Sequence, residues 1–152
     1  MTLPKPINFE VERYIGGLSQ YKRINDPIKL SANESALGPS PKAIQAIEKD
    51  KNKTFKYPES DCNSLREVLS EKFNIDSKRI ICGSGSDQIF DLTCHLFLNP
   101  GDEVIVTEFG FIMHRIYASL YKAKIVLAKE KNFKASVEEI LGKVTDKTKI
   151  VF

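Results

Sequence analysis

Apolar positions run along this chain in two rhythms. In the first part they recur at helical spacing: "SPKAIQAIEKD" places Ala43, Ile44 and Ile47 on one face, with Ser40 as N-cap and Pro41 at the first helical position. A second helix is predicted over "CNSLREVLSEKFNI", where Leu65, Val68, Leu69 and Phe73 form one stripe. Before these helices, from Met1 to about Asp26, the pattern is irregular and carries two early prolines and the pair Gly16-Gly17, as an arm lying on another surface would.

After Asp76 the rhythm becomes strand and helix in alternation. Strands are predicted at 79–82 ("RIIC"), 103–108 ("EVIVTE"), 124–128 ("KIVLA") and 149–152 ("KIVF"), with helices near 86–98, 112–121 and 135–143. Short β-branched runs without polar alternation belong to strands covered on both faces, so the expected fold class is α/β with a parallel sheet wrapped by helices. "NPGDE" marks a turn before the second strand. In such sheets the loops at the carboxyl ends of the strands form the ligand site, and the chain stops before the loop that should follow "KIVF".

Composition narrows the possibilities. At 152 residues, 41% hydrophobic and 28% charged, the chain can build a core without metal or disulfides. Its net charge of +3 comes from 23 basic and 20 acidic residues that are interspersed, which argues against nucleic acid as a partner. Cys62, Cys82 and Cys94 show no C-x-x-C spacing, and with only two histidines they make no zinc pattern, so no metal site is expected and the thiols read as reduced, as in a cytoplasm. No charged-then-apolar leader opens the sequence and no apolar run approaches the roughly 20 residues needed to span a bilayer, so a cytoplasmic protein without membrane contact is expected.

The stretch "RIICGSGSDQIFDLTCHLF" is the candidate for chemistry. Gly83 and Gly85 permit a tight turn with close approach to backbone, and Ser84, Ser86 and Asp87 suit the start of the helix that follows. First-turn amides lack intrahelical acceptors and sit at the positive end of the helix dipole, which suits a phosphate. The turn is neither a P-loop, for want of Gly-Lys-Ser/Thr, nor G-x-G-x-x-G, because Gln88 takes the sixth place. A glycine turn of this kind also serves as a plain connector, and the pattern alone permits both.

"KLSANESALGPSPKAIQAI", "YPESDCNSLREVLSEKFNID", "RIICGSGSDQIFDL" and "NPGDEVIVTEFGFIMHRIYASLYKAKIV", in this order, resemble the amino-terminal part of histidinol-phosphate aminotransferases, fold-type-I enzymes dependent on pyridoxal 5′-phosphate. The resemblance runs from about Tyr14 to Phe152. It implies the three-layer parallel-sheet core of the large domain, incomplete and preceded by an extended arm and two helices. It divides the chain into 1–56, arm and first helix, and 57–152, the first part of the cofactor-binding domain.

By the same resemblance, Ser86, Asp87 and Gln88 receive the cofactor phosphate, Phe111 stacks on the pyridine ring, and Tyr57 reaches the phosphate held by the partner in a homodimer. Tyr14 and Asn33, the latter beside Glu34, match residues near the substrate, although family members commonly have Pro where Arg13 stands. His114 stands where a tyrosine is frequent and receives no catalytic role. Plainer roles exist for these residues: a core aromatic for Phe111, a turn aromatic beside Pro58 for Tyr57, a cap or turn for Asn33 and Glu34.

The lysine that joins the cofactor, the aspartate at the pyridine nitrogen and the arginine for the substrate carboxylate lie, in the family, beyond this chain's last residue, so no catalytic residue is assigned. The implied reaction is transamination between histidinol phosphate, an amino-phosphate, and the 2-oxo acid 2-oxoglutarate, with the 152 residues inactive alone. Alternatives are another pyridoxal-phosphate aminotransferase, an amino-phosphate decarboxylase, or a non-catalytic remnant forming a phosphate-binding α/β module.

Overall fold

A computed structural model describes residues 11–17, 24–25 and 28–152. Most of the arm expected from Met1 to Asp26 lies outside them; residues 11–17 have no regular secondary structure. The chain falls into two compact units. One is Ile15–Cys82, the other Gly83–Phe152 together with residues 11–14.

In the first unit, α1 (Pro41–Asp50) begins as its sequence dictates: the Ser40 hydroxyl accepts a hydrogen bond from the Ala43 amide at 3.1 Å, and Pro41 occupies the first turn, where a missing amide costs nothing. The second helix, α2 (Asn63–Phe73), ends on Asn74 in left-handed conformation with its amide bonded to the Ser70 carbonyl. Arg66 donates from Nε and a terminal nitrogen to the Ser77 carbonyl, at 3.0 and 2.7 Å, tying α2 to a 3₁₀ turn at Ser77–Arg79. The apolar stripes of both helices face solvent in this unit, with Ile47 64% and Val68 61% exposed.

One predicted strand is absent. "RIIC" forms no ladder: Arg79 closes the 3₁₀ turn, which Asp76 caps through the Lys78 amide at 2.9 Å, and only from Ile80 is the backbone extended (φ −108°, ψ 127°). A strand must pair its amides and carbonyls with a neighbour, and no described strand pairs with residues 80–82. A local side-chain cap thus took Arg79 from the β-branched pattern.

The second unit holds the sheet. It opens with α3 (Gly85–Phe97), followed by β1 (Glu103–Thr107), α4 (Ile112–Leu120), β2 (Lys124–Ala128), a small antiparallel hairpin of β3 (Glu130–Lys131) and β4 (Lys134–Ala135), α5 (Val137–Leu141) and β5 (Thr148–Val151). The strand order is β2-β1-β5 and both pairings are parallel, as the β-branched runs predict. The helix expected over 135–143 is shorter because Ala135 is spent in the hairpin and Ser136 caps α5 through the Glu139 amide.

β1 is central and buried. Val104 and Val106 project to the face where Cys94 and Leu98 of the α3 segment and Ala118 of α4 complete the core, flanked by Ile125, Ile150 and Phe152. Register explains the buried charge at the strand's start: Glu103 lies opposite Lys124 and bonds its ammonium at 2.8 Å, while Thr145 donates to its other oxygen at 2.7 Å. Burial pushes the Cys94 thiol up to about 11, with Asp91 adding to the shift. Among the described residues no helix is long and apolar enough to cross a membrane.

Candidate functional site

The glycine turn enters α3 from Cys82. Gly85 has φ +79°, in the left-handed region where a side chain is strained, and its amide bonds the Gly83 carbonyl at 2.8 Å. Gly83 is constrained differently. A Cβ there would stand 3.0 Å from Ile89 Cδ1 and 3.1 Å from Gln88 Oε1, so a larger residue would push these two side chains aside by a few tenths of an ångström. Gln88 Oε1 accepts the Ser84 amide at 2.6 Å, holding the turn shut from the helix side.

These constraints leave the start of α3 open. Ser84 makes no side-chain cap, and among the described residues no acceptor meets the amides of Ser86 and Asp87. Ser84, Ser86 and Gln88 are exposed and Asp87 is half-buried. Two amides at the positive end of a 13-residue helix, with serine hydroxyls beside them, can bind an anion of phosphate size. The Asp87 carboxylate leans its charge on the Tyr117 phenol of α4; burial first, then Asp87 and Asp91, raise that phenol's pKa. Of the three residues expected at the phosphate, Ser86 and Asp87 thus offer unpartnered amides, while Gln88 has its side-chain oxygen committed to shaping the turn.

Phe111 is the N-cap residue of α4, on the loop that leaves the carboxyl end of β1. Its ring makes edge contacts with Tyr14, at 6.5 Å between centroids, and with His114 at 5.8 Å. The Tyr14 segment is also joined to α4 by an ion pair between Glu12 and Arg115 at 3.6 Å. Two of the expected site residues, Tyr14 and Phe111, are therefore together in the second unit. Tyr57 and Asn33 belong to the first. There Tyr57 is fully exposed beside Pro58, and Asn33 is exposed next to Glu34, which pairs with Lys29 at 3.0 Å.

Two residues carry more structure than the sequence reading gave them. His114 lies stacked on Phe152, with centroids 4.6 Å apart and planes within 7°, and edge-on to Phe90 at 4.6 Å. Burial lowers its pKa, which favours the neutral ring. The signal for this was available, since Phe111, His114 and Tyr117 recur every three residues on one helical face. Phe109 is a second exposed aromatic on the β1 loop; its amide donates to Glu130 at 3.2 Å and its ring leans on Phe133 at 5.4 Å. Among the described residues no group of three His, Cys, Asp or Glu is placed to hold a metal ion.

The fold and the turn together define the class: an α/β protein with a parallel sheet and an open helix N-terminus behind a glycine turn. The model of the class I and II aminotransferases matches residues 25–152, and the chain belongs to that family. Among curated proteins, the histidinol-phosphate aminotransferase of Pelagibacter ubique (strain HTCC1062) is 51% identical over 152 residues, covering 100% of this chain and 42% of the relative. That of Paramagnetospirillum magneticum is 38% identical over 149 residues, 98% of this chain and 41% of the relative. The chain thus spans well under half the length of these relatives.

Among solved structures, the histidinol-phosphate aminotransferase of Sinorhizobium meliloti in complex with pyridoxal 5′-phosphate superposes with a TM-score of 0.72 at 22% identity, over 76% of this chain and 32% of that one. The aspartate aminotransferase of Rhizobium meliloti gives 0.71 at 23%, over 80% and 33%. The fold is accordingly part of the α/β fold of these aminotransferases.

Proposed function

We propose that this chain supplies the phosphate-binding end of a pyridoxal 5′-phosphate-dependent aminotransferase that exchanges amino groups between histidinol phosphate and 2-oxoglutarate. The observation that carries the reading is the match over the full 152 residues to proteins named for that activity. The turn fits the cofactor's phosphate, because among the described residues the amides of exposed Ser86 and half-buried Asp87 meet no acceptor. The cofactor, when bound, supplies an electron sink for the bond broken at the substrate's α-carbon.

The chain's own residues would bind and orient. Ser84 and Ser86 donate hydroxyls and Ser86 and Asp87 amides to the phosphate, while Gln88 holds the turn through the Ser84 amide. Phe111 is the aromatic assigned to the pyridine ring, with Tyr14 against its edge; Phe109, on the same loop, is the competing platform. Asn33 and Tyr14 are assigned to the substrate. Full exposure of Tyr57 favours a reach to a partner's phosphate, and the uncovered stripes of α1 and α2 favour association, so the complete protein is read as a homodimer; a cytoplasmic location is part of the same proposal. The boundary at residues 56 and 57, between arm with first helix and cofactor domain, belongs to the same proposal, as does inactivity of the 152 residues alone.

The test is a chimera in which these residues replace the matching part of the Pelagibacter ubique relative. With histidinol phosphate and 2-oxoglutarate it should form glutamate, whereas the isolated chain should form none. A folded chimera active only with other amino donors would assign a sister aminotransferase instead. Phe109→Ala and Phe111→Ala in the chimera identify the ring platform as the one whose loss costs more cofactor affinity.

A further inference from the structure

We propose that Cys62 and Cys82 form a dithiol modification site that closes to an intramolecular disulfide when a small carboxylate-bearing disulfide oxidant enters the cavity both line. The two cysteines are 20 positions apart in sequence, yet both border a cavity of about 330 Å³ whose wall also includes Ser60, Asp61, Arg66 and Lys78. Both are half-buried, unlike Cys94, which is fully enclosed in the core of the other unit. Cys82 is near enough for its thiol to be among the groups that raise the Cys62 pKa. Cys62 also stands at φ +52°, an unusual conformation for a side-chain-bearing residue, at the N-cap of α2, where its sulfur makes no cap and approaches the Glu59 carbonyl at 3.9 Å.

The chemistry needs no group beyond the oxidant. A thiolate of the pair attacks the S–S bond of oxidised glutathione, forming a mixed disulfide and expelling one glutathione thiolate. The second protein thiolate then attacks the protein sulfur of that mixed disulfide and expels the other. The protein loses two protons and two electrons, and one disulfide becomes two thiols. Arg66 and Lys78 supply the positive wall that receives the oxidant's carboxylates; Arg66 is fixed there by its bonds to Ser77.

Facing the pair from the same unit are also Glu59 and Asp61, which, after burial and Cys82 itself, raise the Cys62 pKa. Closure therefore quickens as pH rises through the thiol range, because only the thiolate attacks. The resulting bridge would tie the start of α2 to the residue directly preceding Gly83. None of this depends on the aminotransferase reading.

The purified chain is incubated with oxidised glutathione at rising pH, quenched with an alkylating agent and mapped by mass spectrometry. The expected product is a monomer lighter by two hydrogens, with the Cys62 and Cys82 peptides joined and Cys94 alkylated only after unfolding. Cys62→Ser and Cys82→Ser should each stop at a mixed disulfide with glutathione, while Cys94→Ser closes like the wild type. A wild-type chain that stays fully reduced, that retains glutathione on either cysteine, or that bridges through Cys94 or to a second chain would overturn the proposal.

Discussion

Glu103 shows how a single residue is set by partners distant in sequence. Its side chain is 8% exposed, and the hydrogen bond from Lys124 first, then that from Thr145, holds its carboxyl below the ordinary 4.5 against the opposing effect of burial. A carboxyl whose folded pKa is depressed contributes stability that is complete above its unfolded pKa and lost as pH falls toward the folded one. Unfolding midpoints should therefore drop as pH is lowered through and below 4.5, and Glu103→Gln should flatten that part of the profile, read by denaturant titration at several pH values. Lys124 is 68% exposed, so its charge is screened and added salt should weaken the effect only modestly, the geometry being carried by the hydrogen bonds. None of this was legible in "NPGDEVIVTE", because the partners lie 21 and 42 residues away and meet Glu103 only once the register is set.

At the scale of elements, what is specified locally was readable. Ser40 and Pro41 announce α1, and the Ser-Gly-Ser turn announces α3 to within a residue. Removing the cap tests how much such a signal is worth: Ser40→Ala should cost about 1 kcal/mol, seen as a lower unfolding midpoint with an unchanged slope. What failed was the strand at 79–82, where an apolar run met a stronger local instruction, the Asp76 cap, and no described ladder to join. The aromatic face of Phe111, His114 and Tyr117 was readable, but the partner of the His114 stack was hidden, since Phe152 lies 38 positions later. Of the expected site, the glycine turn was legible because its geometry demands particular residues. Tyr57 and Asn33 entered through resemblance, and their exposed side chains show why nothing local marked them.

For the whole molecule, family membership and fold are established, and the central claim concerns what the turn at residues 83–88 holds. A helix-end contact at an exposed site contributes roughly 0.3–1 kcal/mol, so binding to these residues alone should be weak but localised. The direct measurement is a ¹⁵N-resolved titration of the chain with pyridoxamine 5′-phosphate, which has no aldehyde to react with surface lysines, set beside pyridoxamine. The account predicts saturable shifts of the Ser86 and Asp87 amides with the phosphorylated compound and none with the other. Equal responses to both compounds, or shifts confined to lysine-rich surface away from the turn, would contradict it.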